Sequence, residues 1–156
     1  MAVRLSTGCV NALAGGALGQ GSFVQIFQDA VIAVRTGVQP ADADAVETGT
    51  LLGLVTVNGG AFTLGNPTNG LNWEAAIEGV CAKPQAEEWA IIPTTTGTPG
   101  WARIYTNDFE TGASDTAVRI DIACGVGAGE LRFSTSTLTA NIKSVVNTLN
   151  VIVPKS

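Results

Sequence analysis

From residue 31 onward, glycine, asparagine and proline cut the chain into apolar segments of strand length, and this punctuation constrains the fold more than any other feature. Residues 31–36 are rich in β-branched side chains and stop at Gly37. Residues 51–57 stop at Asn58-Gly59-Gly60, and an Asn-Gly pair favours a primed hairpin turn because both residues accept positive φ. Residues 61–64 then fit a return strand. Leu71, Trp73, Ala75 and Ile77 alternate and predict a further main strand. Strands over 89–92, 101–106, 118–123, 130–135 and 145–153 follow. Short strands at this spacing, separated by turn residues, predict an all-β fold. The expected architecture is an antiparallel β-sandwich, jelly-roll or Ig-like, forming a single domain over residues 23–156.

Before the first strand the pattern is helical and brief. Ser6 fits the N-cap of a helix through Leu13 that Gly15 and Gly16 would end. Phe23, Ile26 and Phe27 recur with the spacing of a further helical turn. Residues 1–22 therefore read as an N-terminal arm, extended or short-helical, which gains order by docking on a partner subunit. Its apolar run is too diluted by Ser6, Thr7, Asn11 and glycines for a signal peptide. No stretch approaches the roughly 18 apolar residues of a membrane span.

Side chains alternate across a strand, so each segment divides into two faces. Val118, Ile120 and Ile122 face one way and Arg119 and Asp121 the other. Leu131 and Phe133 oppose Glu130 and Arg132. Matching apolar and charged faces predicts a hairpin of 118–123 with 130–135, with Asp121 opposite Arg132. In the last strand Val145, Leu149, Val151 and Val153 read as inward, and Val146, Thr148, Asn150 and Ile152 as outward. Trp101, Arg103 and Tyr105 share a face opposite Ala102 and Ile104. Two readings of that stripe stand side by side. The aromatic rings belong to the core with Arg103 at its edge, or all three form an exposed interface of hot-spot residue types.

Composition excludes several functions. There is no histidine, so His-based triads, His general bases and His-ligated zinc are ruled out. The net charge of −5 with eight basic residues argues against a nucleic-acid partner. Only 13% of residues are charged, against roughly 25% in ordinary soluble domains, which points to a surface that faces other protein. Gly125-Val126-Gly127-Ala128-Gly129 lacks the Lys-Ser/Thr and the helix of a phosphate loop, and reads as a hairpin loop. Asp42, Asp44 and Glu47 lack calcium-loop spacing and read as a solvated acidic loop, as do Asp108, Glu110 and Asp115. Glu74 and Glu78 lie too close on one short segment to be paired glycosidase carboxylates. No catalytic residue, metal ligand or cofactor site is expected.

Cys9, Cys81 and Cys124 are far apart, and an odd count leaves at least one thiol free or bonded to another chain. Three free thiols are one reading. In the other, Cys9 and then Cys81 are the candidates for an intermolecular disulfide formed after release from the cytosol. Cys124 follows Val118, Ile120 and Ile122 in phase and reads as a buried thiol.

Several strings taken together carry a resemblance: MAVRLSTG with NAL, VIAVRTGVQPADADAVETGTLLGLVTVNGGAF, GNPTNGLNW, GWARIYTND, TGASDTAVRID and VNTLNVIVP. The chain resembles a family of small virion structural proteins of tailed bacteriophages, in the same order and over most of its length. The most specific part runs from Gln39-Pro40-Ala41-Asp42 to Asn69-Gly70-Leu71-Asn72. The resemblance implies a virion component assembled in the host cytoplasm. A capsid decoration or minor capsid protein comes first, with the major capsid protein or other virion proteins as partners and a homo-oligomer, trimer first. A neck, collar or tail component is the alternative within that class, and a host-surface glycan-binding domain the alternative outside it. The resemblance brings no catalytic or binding residues, and neither a nucleic acid nor a membrane as partner.

Overall fold

Ser6 organises the N-terminal segment: β1 (Arg4–Leu5) ends before it and α1 (Thr7–Leu13) begins after it. Its hydroxyl accepts from the Cys9 amide at 3.0 Å, as an N-cap should, and donates to the Ala117 carbonyl at 2.7 Å. The cap thereby also fastens the helix to a distant part of the chain. The computed structural model describes residues 3–15 and 21–152. After α1 come α2 (Phe23–Ile26), β2 (Val31–Arg35), β3 (Leu51–Val57), β4 (Val80–Ala82), β5 (Trp89–Ile91), β6 (Trp101–Tyr105), β7 (Arg119–Gly125), β8 (Leu131–Phe133) and β9 (Ser144–Ile152).

Seven of these strands close on themselves in the order β7-β6-β2-β3-β5-β9-β8 and back to β7. The pairs are antiparallel except β7–β8, which is parallel. β1 adds to β7 beside Ile120 and Asp121, and β4 adds to β9 beside 150–152. The expectation of a β-sandwich is therefore corrected to a closed barrel. Alternation shows that one face of each strand is buried, which holds equally for a sandwich and a barrel. Closure depends on β8, only three residues long, which pairs with both β7 and β9.

The barrel interior is filled by side chains, as expected for this strand number. Ile32, Val34, Leu52, Val55, Ile91, Ala102, Ile104, Ile120, Ile122, Leu131 and Phe133 form one buried cluster. α1 contributes Cys9 to it, α2 contributes Phe23 and Ile26, and the C-cap residue Phe27 follows them. An aromatic chain runs from Phe27 through Phe23 and Trp73 to Trp89, with successive centroids 4.9, 4.9 and 5.2 Å apart. The Trp73 indole N–H donates to the Phe27 carbonyl at 3.0 Å, which satisfies its polar atom inside the core.

The hairpin expected between 118–123 and 130–135 does not form. Cys124 pairs with Leu131 and Gly125 with Arg132 in parallel, and Asp121 lies opposite Arg103 and Arg4 instead. The glycine-rich loop explains the difference. Gly127 and Gly129 adopt φ of 72° and 86°, so the chain coils back within a few residues rather than reversing in a hairpin. The Glu130 carboxylate closes the seam by accepting the Ala123 amide at 2.8 Å.

Three smaller expectations change as well. Asn58 and Gly59 make the positive-φ turn, but residues 61–64 form no strand, and Phe62 packs on Phe109 outside the barrel. The alternation of Leu71, Trp73, Ala75 and Ile77 is not a main strand. Leu71 makes a single bridge to Ala30, Trp73 packs on Phe23, and Ala75 and Ile77 are exposed. In β9 a bulge opposite Arg132 and Phe133 shifts the phase, so Val146, Leu149 and Val151 face inward while Val145 is exposed. Val153 lies outside the described residues.

Residues 3–13, expected to be a partner-docking arm within 1–22, are seated on this chain's own barrel; residues 1–2 and 16–20 lie outside the described residues. Gly8 reports this seating, because an added Cβ would stand 2.2 Å from the Thr116 carbonyl oxygen. Gly8→Ala is expected to destabilise the protein by about 1–3 kcal/mol in urea unfolding, the range for overpacking. On an undocked helix the same change would be stabilising.

Candidate functional site

Sequence phase places Trp101, Arg103 and Tyr105 on one face of β6, and Arg119 and Asp121 on one face of β7. Strand register sets Arg103 beside Asp121 and Tyr105 beside Arg119. The shared face is the outer wall of the barrel, since Ala102, Ile104, Ile120 and Ile122 fill the interior. It is nevertheless sealed from water: Arg103, Arg119 and Asp121 are each 0% exposed. Two segments cover it, the strap of residues 37–50 between β2 and β3, and the loop 106–118 between β6 and β7.

Every N–H of the Arg119 guanidinium meets a backbone carbonyl. Nε donates to Ala43 at 2.6 Å, Nη1 to Glu110 and Gly112 at 3.2 and 2.6 Å, and Nη2 to Asp44 and Ser114 at 2.9 and 3.3 Å. Five donors on five acceptors saturate the side chain. Two of those carbonyls belong to the strap and three to the loop, so one side chain holds both. Arg103 makes a fork to Asp121 at 2.5 and 2.8 Å, and its Nη1 reaches the Ala45 carbonyl at 2.9 Å and Glu47 Oε1 at 3.2 Å. Glu47 also accepts from the Tyr105 hydroxyl at 2.6 Å and from the Gly112 amide at 3.1 Å. Two guanidiniums and two carboxylates make the layer neutral. At the strap's outer edge Asp44 accepts from the Thr7 amide at 2.8 Å and its hydroxyl at 2.5 Å, and Arg4 donates to the Pro40 carbonyl.

The environment moves the titrations in opposite senses. Burial would raise the Glu47 carboxyl, but the Tyr105 hydroxyl, the Gly112 amide and Arg103 outweigh it and hold Glu47 below its ordinary value. The Thr7 hydroxyl, against a smaller effect of burial, holds Asp44 low as well. Burial pushes the Asp121 carboxyl up, with Arg103 acting against it. Burial and the bond to Glu47 push the Tyr105 hydroxyl far above its usual range, so it is a neutral donor.

The stripe of Trp101, Arg103 and Tyr105 thus faces outward as one reading had it, but in this chain it is covered rather than an exposed interface. The Arg103 guanidinium lies over the Trp101 ring, 5.4 Å from its centroid. Asp42, Asp44 and Glu47 are not simply a solvated loop. Asp42 folds a turn by accepting the Asp44 and Ala45 amides, while Glu47 is 6% exposed and belongs to the layer. The role of Glu47 was hidden in the sequence, because its partners lie 56 to 65 residues away. The available signal was three charges in one phase of two neighbouring strands, in a chain with few charges.

Cys9 and Cys81 are buried in the core, and Cys124 is half-buried at the barrel seam. Accessibility therefore runs opposite to the order of cross-linking candidates read from the sequence. All three thiols are free. Burial pushes Cys9 up to about 12, and raises Cys81 and Cys124 too, with the Glu130 charge adding to Cys124. Glu74 accepts the Gln85 amide at 3.1 Å, in a polar cleft with Lys83, Asn147 and Asn150. A second cleft is lined by Gln28, Asn107, Asp108, Glu110 and Thr116. Among the described residues no cluster of three or more His, Cys, Asp or Glu could hold a metal ion, and no helix is long and apolar enough to cross a membrane.

No protein-family model, curated protein or solved structure matches the chain.

Breaking the Arg103–Asp121 fork from one side leaves a buried, uncompensated charge. Asp121→Asn is expected to cost about 3–5 kcal/mol in urea unfolding, and the double change Arg103→Met with Asp121→Leu to cost less than Asp121→Asn alone. The depressed carboxyls of Glu47 and Asp44 contribute stability that is present above their unfolded values and lost as pH falls through the folded ones. Asp121, raised, acts in the opposite sense. The expected net result is a lower urea midpoint at pH 3 than at pH 6, with two carboxylates outweighing one. The thiols should be alkylated far more slowly in the native protein than in urea at pH 8, because so little thiolate forms.

Proposed function

We propose that the chain is a structural subunit of a tailed-bacteriophage virion, and within it a capsid decoration or minor capsid protein. It stabilises the head through contacts with the major capsid protein or other virion proteins, as a homo-oligomer, trimer first. It is assembled in the host cytoplasm and works in the virion.

One observation carries the reading. The strings that resemble the virion family contain every member of the buried charge layer: Glu47, Arg103, Tyr105, Arg119 and Asp121. What the resemblance tracks is therefore the device that fixes the strap and loop on the barrel wall. The charged groups of that layer are engaged with one another and with backbone groups. The barrel is packed solid with apolar side chains. Such a molecule presents a rigid surface, and a rigid surface costs little ordering entropy on contact. Ile77 and Ile152 are 74% and 61% exposed, and both lie beside Val80 in the register, which gives an apolar row at β4. The glycan-binding alternative lacks a tryptophan platform, since Trp73, Trp89 and Trp101 are 7%, 0% and 0% exposed.

A disulfide from Cys9 or Cys81 to another chain requires local opening of the core, and non-reducing electrophoresis of particles reads whether any forms. Copy number tests the main reading. Quantified gel bands of purified particles should show on the order of hundreds of copies, as a capsid lattice requires. About a dozen copies would move the protein to a neck or tail ring, and its absence from particles would overturn the virion reading.

A further inference from the structure

The strap of residues 37–50 is attached to the barrel in an unusual way. Its two large apolar side chains, Val38 and Val46, point outward at 77% and 58% exposure. Of its apolar side chains, only the small Ala43 and Pro40 are buried. What the strap buries instead is polar: the carbonyls of Ala43, Asp44 and Ala45 on Arg119 and Arg103, and the Glu47 carboxylate. The barrel beneath is the reverse. The buried charged residues among those described, Arg103, Arg119 and Asp121, all sit on the outer wall, and the side chains that fill the interior are apolar.

We propose that the strap is an electrostatic latch, which opens on loss of the Glu47 charge while the barrel stays folded, and so uncovers the Trp101–Arg103–Tyr105 wall. Among the described residues, Glu47 and Asp121 are the two carboxylates ion-paired with the buried guanidiniums, and Glu47 pairs with both of them. Without its charge, Asp121 is the one ion-paired carboxylate left to them, and a net positive charge remains in a buried layer. Water entering under the strap relieves that charge. The apolar strands have no comparable reason to open.

Charged and polar groups face the strap from each side. β6 and β7 present Arg103, Arg119, Tyr105 and Asp121 to Glu47. α1 presents the Thr7 hydroxyl and amide to Asp44. β1 presents Arg4 to the Pro40 carbonyl, and Arg35 of β2 reaches the Gly49 carbonyl at 3.3 Å. The loop 106–118 carries Asp108, Glu110 and Asp115, and Glu110 accepts from Ser114 within its own loop at 3.0 Å. Protonating Asp44 removes the Thr7 contact, which also loosens the strap. Asp121, whose carboxyl burial raises, acts in the opposite sense, so the acid response of the latch rests on Glu47 and Asp44, both of which act on the strap and not on the barrel interior. The uncovered wall has the residue types that dominate contact hot spots.

Hydrogen–deuterium exchange on the full chain tests the latch. Glu47→Gln keeps the side-chain shape and removes the charge. At pH 7 it should speed exchange over 38–48 and 110–114 by about tenfold or more, the factor of one pKa unit of coupling, with β2, β3 and β6 unchanged. The control Val46→Ser, at an exposed position, should leave the strap as in the wild type. Wild-type protein taken to acid pH, corrected for intrinsic rates, should lose strap protection at a higher pH than strand protection. This second arm decides the matter if Glu47→Gln does not fold. Unchanged strap exchange in Glu47→Gln, or strap and strands losing protection together, would overturn the proposal.

Discussion

Arg119 is the side chain on which the outer half of this molecule depends. A buried guanidinium is costly unless all its donors are met, and here five carbonyls from two separate segments meet them. Residues 43–44 and 110–114 have few apolar groups of their own to bury. Their positions follow from the need to place carbonyl oxygens around one cation. Arg103 adds a second cation beside it, and Asp121 and Glu47 restore neutrality. A hydrophobic layer would have held the same segments with less desolvation cost but with less definition of where each carbonyl sits.

This arrangement divides the barrel wall into two kinds of surface. On β2, β3, β6 and β7 the outer face is covered: Val31, Ala33 and Tyr105 pack under Leu54, Phe62 and Phe109, next to the charge layer. On β9 the outer face is bare, with Val145, Thr148, Asn150 and Ile152 exposed. The covered side is fixed by specific polar geometry and the bare side by strand pairing alone.

Much of this was legible in the sequence, and the limits are physical. Ser6 as N-cap, the turn at Asn58-Gly59 and the position of seven strands follow from local chemistry, which the residues themselves carry. Closure of the sheet was not legible, because alternation reports burial of a face and not what lies across from it. The partner of Asp121 was misread because charge complementarity alone does not choose between Arg132 and Arg103; the glycine coil after β7 removed the first and strand register supplied the second. The bulge in β9 reversed Val145 and Val146, since one extra residue flips a period of two. Glu47 was read as a solvated acid because nothing local distinguishes an acidic loop in water from one laid across two buried arginines.

The claim that a saturated, water-excluded charge layer organises the outer wall is most directly tested by nitrogen–proton NMR of the arginine side chains. Arg103 and Arg119 should give Nε–H signals that persist at neutral pH with slow solvent exchange, with the Arg119 proton close to the Ala43 segment and the Arg103 proton close to Asp121. The exposed Arg132 should exchange fast. Fast exchange at Arg103 and Arg119, like that of Arg132, would contradict the account.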